Sequence, residues 1–256
     1  MVETASERPD QTVGNCPVIL CIGGFGDNAS MFEGLADTHI AENYRLLPFN
    51  LPGFGAPPLS GRTTLSALAQ FVADRANECE AEIILAHSVA SIIASLAAGK
   101  PGCSLTTILS LEENITADDA YFSGTAADYD DPASFRRAFL DRLDEMSTTA
   151  PIIHRYRQAV SEANPVALWQ LGADARRFSA KYEPGMVLQN AAMVTYLYNP
   201  ENCPKTTIEW LSENPMDRIV LDNATHWASV DQPELLADKI LLALSFTEKR
   251  SLNART

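Results

Sequence analysis

Ser88 lies in Ile83-Ile84-Leu85-Ala86-His87-Ser88-Val89-Ala90-Ser91-Ile92-Ile93, where an apolar, strand-like run passes into helical spacing with a hydroxyl at the junction. Such a hydroxyl attacks a carbonyl carbon once a nearby imidazole takes its proton, and that imidazole needs a carboxylate to fix its tautomer and stabilise its cation. The chain has 4 histidines to weigh as partners. Strand alternation turns His87 away from its neighbour Ser88. His39 and His154 have no motif around them and read as surface or insertion residues. His226, in Ala224-Thr225-His226-Trp227-Ala228 after the last strand-like run, remains as a candidate base. Plainer structural roles exist beside these: serine often caps a helix N-terminus, and His226 could simply pack on Trp227.

Positioning such groups takes an α/β architecture. Short apolar runs bounded by Gly, Pro and Asn alternate with helical spacing, the pattern of a buried parallel sheet with covering helices. Strands are expected over Pro17 to Ile22, Tyr44 to Phe49, Glu82 to His87, Leu105 to Glu112, Met193 to Tyr198 and Arg218 to Leu221. Helices are expected over Thr64 to Cys79, Val89 to Ala98, Lys205 to Ser212 and Pro233 to Leu244. Between Ile115 and about Gln189 strand-like runs disappear, and helical stretches such as Ser134 to Met146 and Ile152 to Ala163 follow one another. Asp131-Pro132 and Asn164-Pro165 read as helix starts, a short acceptor side chain preceding a proline. The expected organisation is a catalytic domain over 1–114 and 190–256, a mostly parallel sheet flanked by helices, with a helical cap inserted over 115–189.

The Ser88 junction resembles a nucleophile elbow, usually GxSxG, with Ala86 and Ala90 at the glycine positions. With the remaining motifs, the chain resembles the α/β-hydrolase superfamily over nearly its whole length. Cys21-Ile22-Gly23-Gly24-Phe25-Gly26 matches the family's oxyanion-hole loop, and Asn50-Leu51-Pro52-Gly53-Phe54-Gly55 its DxPGxG turn, with Asn50 where Asp is usual. The His226 segment falls where the catalytic histidine loop does. The resemblance implies Ser88 as nucleophile, His226 as base, and the amides of Phe25 and Val89 as the oxyanion hole. The family's usual acid position falls on Asn202, and an amide cannot replace the charge. Some members take the carboxylate from the strand before the cap, which places Glu112 there, with Glu113 and Glu201 in reserve. A serine nucleophile implies acyl chemistry on an ester, lactone or related carbonyl compound, with no cofactor and no metal.

Two other readings stay open. Gly24-Phe25-Gly26-Asp27-Asn28-Ala29 also fits a dinucleotide fingerprint, but no acid ends the next strand, where Phe49-Asn50-Leu51 stands. A hydrolase-like scaffold that binds a ligand or protein without turnover fits the departures at Gly23, Asn50, Ala86, Ala90 and Asn202. The aromatics Tyr121, Phe122, Phe135, Phe139, Tyr156 and Trp169 either line a pocket above Ser88 or form the core of the cap. The balance of 33 acidic to 19 basic residues, a net charge of -14, repels nucleic acid and anionic membranes. No apolar run is long enough to span a bilayer, and 5 scattered cysteines suit a reducing, cytoplasmic setting. The expected partner is a small-molecule carbonyl substrate. Nothing separates a dimer patch from the cap interface, so oligomeric state is open.

Overall fold

The computed structural model describes residues 16–112 and 114–253. Six parallel strands form one sheet in the order β2-β1-β3-β4-β5-β6. They are β1 (Val18–Ile22), β2 (Arg45–Pro48), β3 (Ile83–His87), β4 (Thr107–Leu111), β5 (Met193–Tyr198) and β6 (Arg218–Val220). The central strand β4 is buried along its whole length, whereas the edge strands β2 and β6 each begin on an exposed residue. That difference explains why β3 and β4 show no regular alternation: both faces of a central parallel strand are covered, so even Thr107 and Ser110 of β4 are buried.

The helices are α1 (Glu33–Ala36), α2 (Leu65–Glu78), α3 (Ala90–Ala98), α4 (Pro132–Ser147), α5 (Pro151–Glu162), α6 (Pro165–Lys181), α7 (Pro184–Gln189), α8 (Lys205–Glu213), α9 (Ala228–Asp231) and α10 (Pro233–Asn253). Two groups flank the sheet: α2, α3 and α7 in mutual succession, and α1, α9 and α10 together. Between β4 and β5 the chain leaves the sheet for α4, α5 and α6, which pack on one another. Asp131 and Asn164 cap α4 and α6, each accepting two backbone amides ahead of a proline at the helix start. The insertion is tied down at its root, where the Gly185 amide donates to the Ile115 carbonyl at 2.9 Å. α7, which the sequence pattern did not single out, packs against α3 and β5.

Register brings the carboxyl ends of the strands into line, with Ile22 beside Ala86, His87 beside Leu111, and Leu111 beside Leu197. The loops carrying residues 23–28, 88, 112, 114, 199–202 and 221–226 therefore emerge along one edge of the sheet. Parallel α/β sheets bind ligands at this edge. Between β1 and β2 lie two short 3-10 turns (Ala29–Phe32 and His39–Glu42) and the four-residue α1, so no long helix begins where a dinucleotide pyrophosphate would sit.

Candidate active site

Ser88 occupies the turn between β3 and α3. Its amide donates to the Leu111 carbonyl at 2.8 Å, and its φ is +53°. A left-handed backbone at a non-glycine residue costs about 1–2 kcal/mol and persists only where the surroundings enforce it. Those surroundings are small side chains: Ala86 and Ala90 are fully buried, and the Ser91 hydroxyl donates back to the Ala86 carbonyl at 2.8 Å. Alanine is thus small enough for the strand and helix to close up. Asn50 is equally accommodated, since its side chain accepts from the Ala29 amide at 2.8 Å and donates to the Gly55 carbonyl at 3.1 Å. An aspartate could not make the second bond.

Glu112 immediately follows β4 with a φ of +51° and is almost fully buried. One carboxylate oxygen accepts from the Asn199 amide at 2.7 Å and from the Asn202 side chain at 3.2 Å. The other lies 3.6 Å from His226 Nδ1. Asn199 and Asn202 also donate to the Ala224 carbonyl, at 2.8 and 3.2 Å, and so hold the histidine-bearing loop beside the carboxylate. Asn202, which falls at the family's usual acid position, is thus a donor to the Glu112 carboxylate. The Glu112 charge is felt nearby: Cys203 is pushed up to about 12, by burial first and by Glu112 in addition. Glu201 is exposed, and Glu113 lies outside the described residues.

Ser88 and His226 line one tight pocket of about 20 Å³, with Phe25, His87 and Trp227 from the sheet side and Tyr121, Phe122 and Tyr156 from the insertion. This volume holds little more than a water-sized group. Phe135 and Phe139 instead pack on the Phe25 ring, at centroid distances of 6.2 and 5.7 Å, and Trp169 donates to the Tyr129 carbonyl. The insertion's aromatics thus divide between pocket wall and core. The Ser88 hydroxyl donates to Asn114 Oδ1 at 3.5 Å, and among the described residues no hydrogen bond joins it to His226. Asn114 is buried two residues beyond Glu112, and no sequence signal marked it. His39 bridges Glu234 and Asp238 at the surface, and His154 is exposed on α5.

His87 corrects an expectation. Its ring lies 4.6 Å from that of His226 instead of pointing away from the site, because the left-handed turn at Ser88 ends the strand's alternation at this position. His87 Nε2 donates to the His226 carbonyl at 2.8 Å; a carbonyl can only accept, so the proton sits on Nε2. Burial, and then the His226 charge, hold His87 well below the ordinary value of 6.5. The unfolded chain takes up this proton near 6.5 and the folded ring resists it, so the stability from this group is complete above 6.5 and is lost as pH falls below it. We expect the thermal midpoint to drop between about pH 7 and about pH 5, and to drop less steeply in His87→Gln, as read by circular dichroism. Equal slopes in the two proteins would refute this assignment.

A parallel sheet with a left-handed serine turn after its third strand, an inserted helical segment before the fifth, and a histidine loop after the last defines the α/β-hydrolase fold. The sequence profile described as "Alpha/beta hydrolase family" matches residues 19–239, and the chain belongs to that family; its class is hydrolase. No curated protein matches the sequence. Solved structures similar to it include a thermophilic esterase from Thermogutta terrifontis, at 18% identity and a TM-score of 0.68, covering 90% of both chains. Also similar is an esterase from Exiguobacterium antarcticum, at 14% identity and a TM-score of 0.68, covering 91% of this chain and 93% of that one. The enol-lactonase from Burkholderia xenovorans LB400 matches at 14% identity and a TM-score of 0.67, covering 92% of this chain and 94% of that one. At such identities the likeness is one of fold. Among the described residues no helix is long and apolar enough to cross a membrane.

Proposed function

We propose that the protein is a serine hydrolase that cleaves an ester or related carbonyl compound, such as a lactone, thioester or activated carbon-carbon bond, through an acyl-serine intermediate. The observation that carries this reading is the convergence of three loops: Ser88 and His226 share a pocket, and Glu112 lies 3.6 Å from His226 Nδ1. With Nδ1 turned to the carboxylate, Nε2 is the nitrogen free to take the serine proton. Attack by Ser88 Oγ on the carbonyl carbon gives a tetrahedral oxyanion, for which the Phe25 and Val89 amides are the proposed donors. Among the described residues neither amide donates to a protein acceptor. Gly24 supports the assignment, since a β-carbon there would lie 2.9 Å from Ser88 Cβ, so the loop leading to the Phe25 amide runs directly against the serine. Collapse expels the alcohol, protonated by His226, and water activated by the same imidazole releases the acid.

In this reading 115–189 is a cap over a catalytic unit made of 1–114 and 190–256, and it selects a small-molecule substrate without a cofactor. The scattered, unpaired cysteines favour work in a reducing compartment such as the cytoplasm. A binding scaffold without turnover is the second reading, favoured by the Ser88 hydroxyl turning to Asn114. Catalytic hydrogen bonds are often long or misaligned before substrate binds, and rotation about one side-chain bond re-aims this hydroxyl. A panel of short-chain nitrophenyl esters and lactones separates the two. Hydrolysis that disappears in His226→Ala supports the hydrolase, and binding without turnover supports the scaffold.

A further inference from the structure

We propose that helix α5 of the insertion holds the oxyanion-binding loop in its working position through Tyr156 and Arg155, so that the site stabilises a charged carbonyl only while the cap is seated. The inference rests on the reading of Phe25 as an oxyanion donor. The Tyr156 hydroxyl donates to the Phe25 carbonyl at 2.6 Å in a buried bond. The preceding residue, Arg155, donates to both carboxylate oxygens of Asp27 at 2.7 Å and to the Ser30 hydroxyl at 3.0 Å. The Asp27 side chain is fully buried in this contact. Between these anchors Gly26 has a φ of +74°, and a β-carbon there would come within 2.8 Å of the Val160 side chain. α5 therefore lies as close to the loop as a glycine allows.

These contacts grip the residues on either side of Gly26, immediately after the amide that faces the reaction. Inside the loop, Asp27 N donates to Gly24 O at 3.2 Å and Asn28 N to Asp27 Oδ1 at 2.9 Å, and the α5 contacts add to these a hold from outside the sheet domain. A pocket of about 20 Å³ is too small for an ester, so its lining must move for substrate to enter, and the insertion, which supplies Tyr121, Phe122 and Tyr156 to that lining, is the part proposed to lift. Lifting α5 breaks the bonds to Phe25 and Asp27 and releases the loop; reseating it restores them. Admission of substrate and assembly of the oxyanion site are thereby coupled, a form of induced fit. Tyr156 acts as a positioning residue. Burial pushes its phenol well above the usual tyrosine range, so it stays protonated and able to donate.

Tyr156→Phe removes the hydroxyl and keeps the ring against Phe122 and Trp227. On a nitrophenyl ester turned over by the wild type, we expect kcat to fall about 10- to 100-fold while KM stays within about threefold. Affinity for an alkyl boronate, whose serine adduct mimics the tetrahedral anion, falls by a similar factor. Unchanged kcat and boronate affinity overturn the proposal. So does a rise in KM at constant kcat, which would make Tyr156 a substrate contact. Should this variant not fold, Arg155→Lys carries the same readouts, since one ammonium cannot span the Asp27 carboxylate and Ser30 together. Failure of the underlying reading is separately visible: hydrolysis that survives Ser88→Ala removes the serine mechanism while saying nothing about α5.

Discussion

Ser88→Ala is expected to lower turnover of any ester that the protein hydrolyses by about four to six orders of magnitude, the scale on which serine hydrolases lose activity with their nucleophile. The size follows from the chemistry: without Oγ no acyl-enzyme forms, and only substrate binding and the oxyanion donors remain to assist direct attack by water. The fold should be nearly indifferent. Among the described residues the lost hydroxyl makes only the 3.5 Å bond to Asn114, the backbone N–H of residue 88 still donates to Leu111, and alanine meets the same left-handed strain that serine already bears. Steady-state rates, with circular dichroism as the check on folding, decide it. An unchanged rate in a folded variant removes Ser88 from the mechanism.

Glu112→Gln is expected to cost about three to four orders of magnitude in kcat, comparable with neutralising the acid of a well-studied triad. Glutamine preserves the shape and retains an acceptor for the Asn199 amide, which now reaches the carboxylate at 2.7 Å, so β4 and the loop after β5 should hold. What is lost is the negative charge beside His226 Nδ1, and an amide donor turned to that nitrogen would favour the wrong tautomer. Glu201→Gln and Glu113→Gln should stay within about threefold of the wild type if Glu112 alone serves. A small loss for Glu112→Gln with a large one for either of the others would relocate the acid. Asn202→Asp does not improve matters, because it sets a second carboxylate where the Asn202 amide now donates to Glu112 at 3.2 Å. Two such charges cannot both ionise at normal cost.

The strands were the most legible part of the fold, and all six expected runs are strands with ends displaced by at most a few residues. Central parallel strands announce themselves because both faces are buried. The proline-led helix starts of α4 and α6 were equally readable, because an acceptor side chain before proline has a local cause. α7 is short and amphipathic in context only, its partner α3 lying far away in sequence. His87 was misplaced because alternation is a rule for regular strands, and the left-handed residue that follows it ends the strand. Asn202 was legible only as a departure from a pattern. That its amide donates to Glu112 depends on two loops separated by the whole insertion, which composition and spacing do not encode. Asn114 and the Arg155–Asp27 contact were hidden for the same reason.

The central claim is that His226 activates one serine hydroxyl. Its most direct test is covalent labelling of the native protein with a fluorophosphonate, followed by peptide mapping and by the same labelling of His226→Ala. A single adduct is expected, on Ser88, forming orders of magnitude more slowly in the variant. Labelling elsewhere, or at Ser88 no faster than in the unfolded chain, would contradict it.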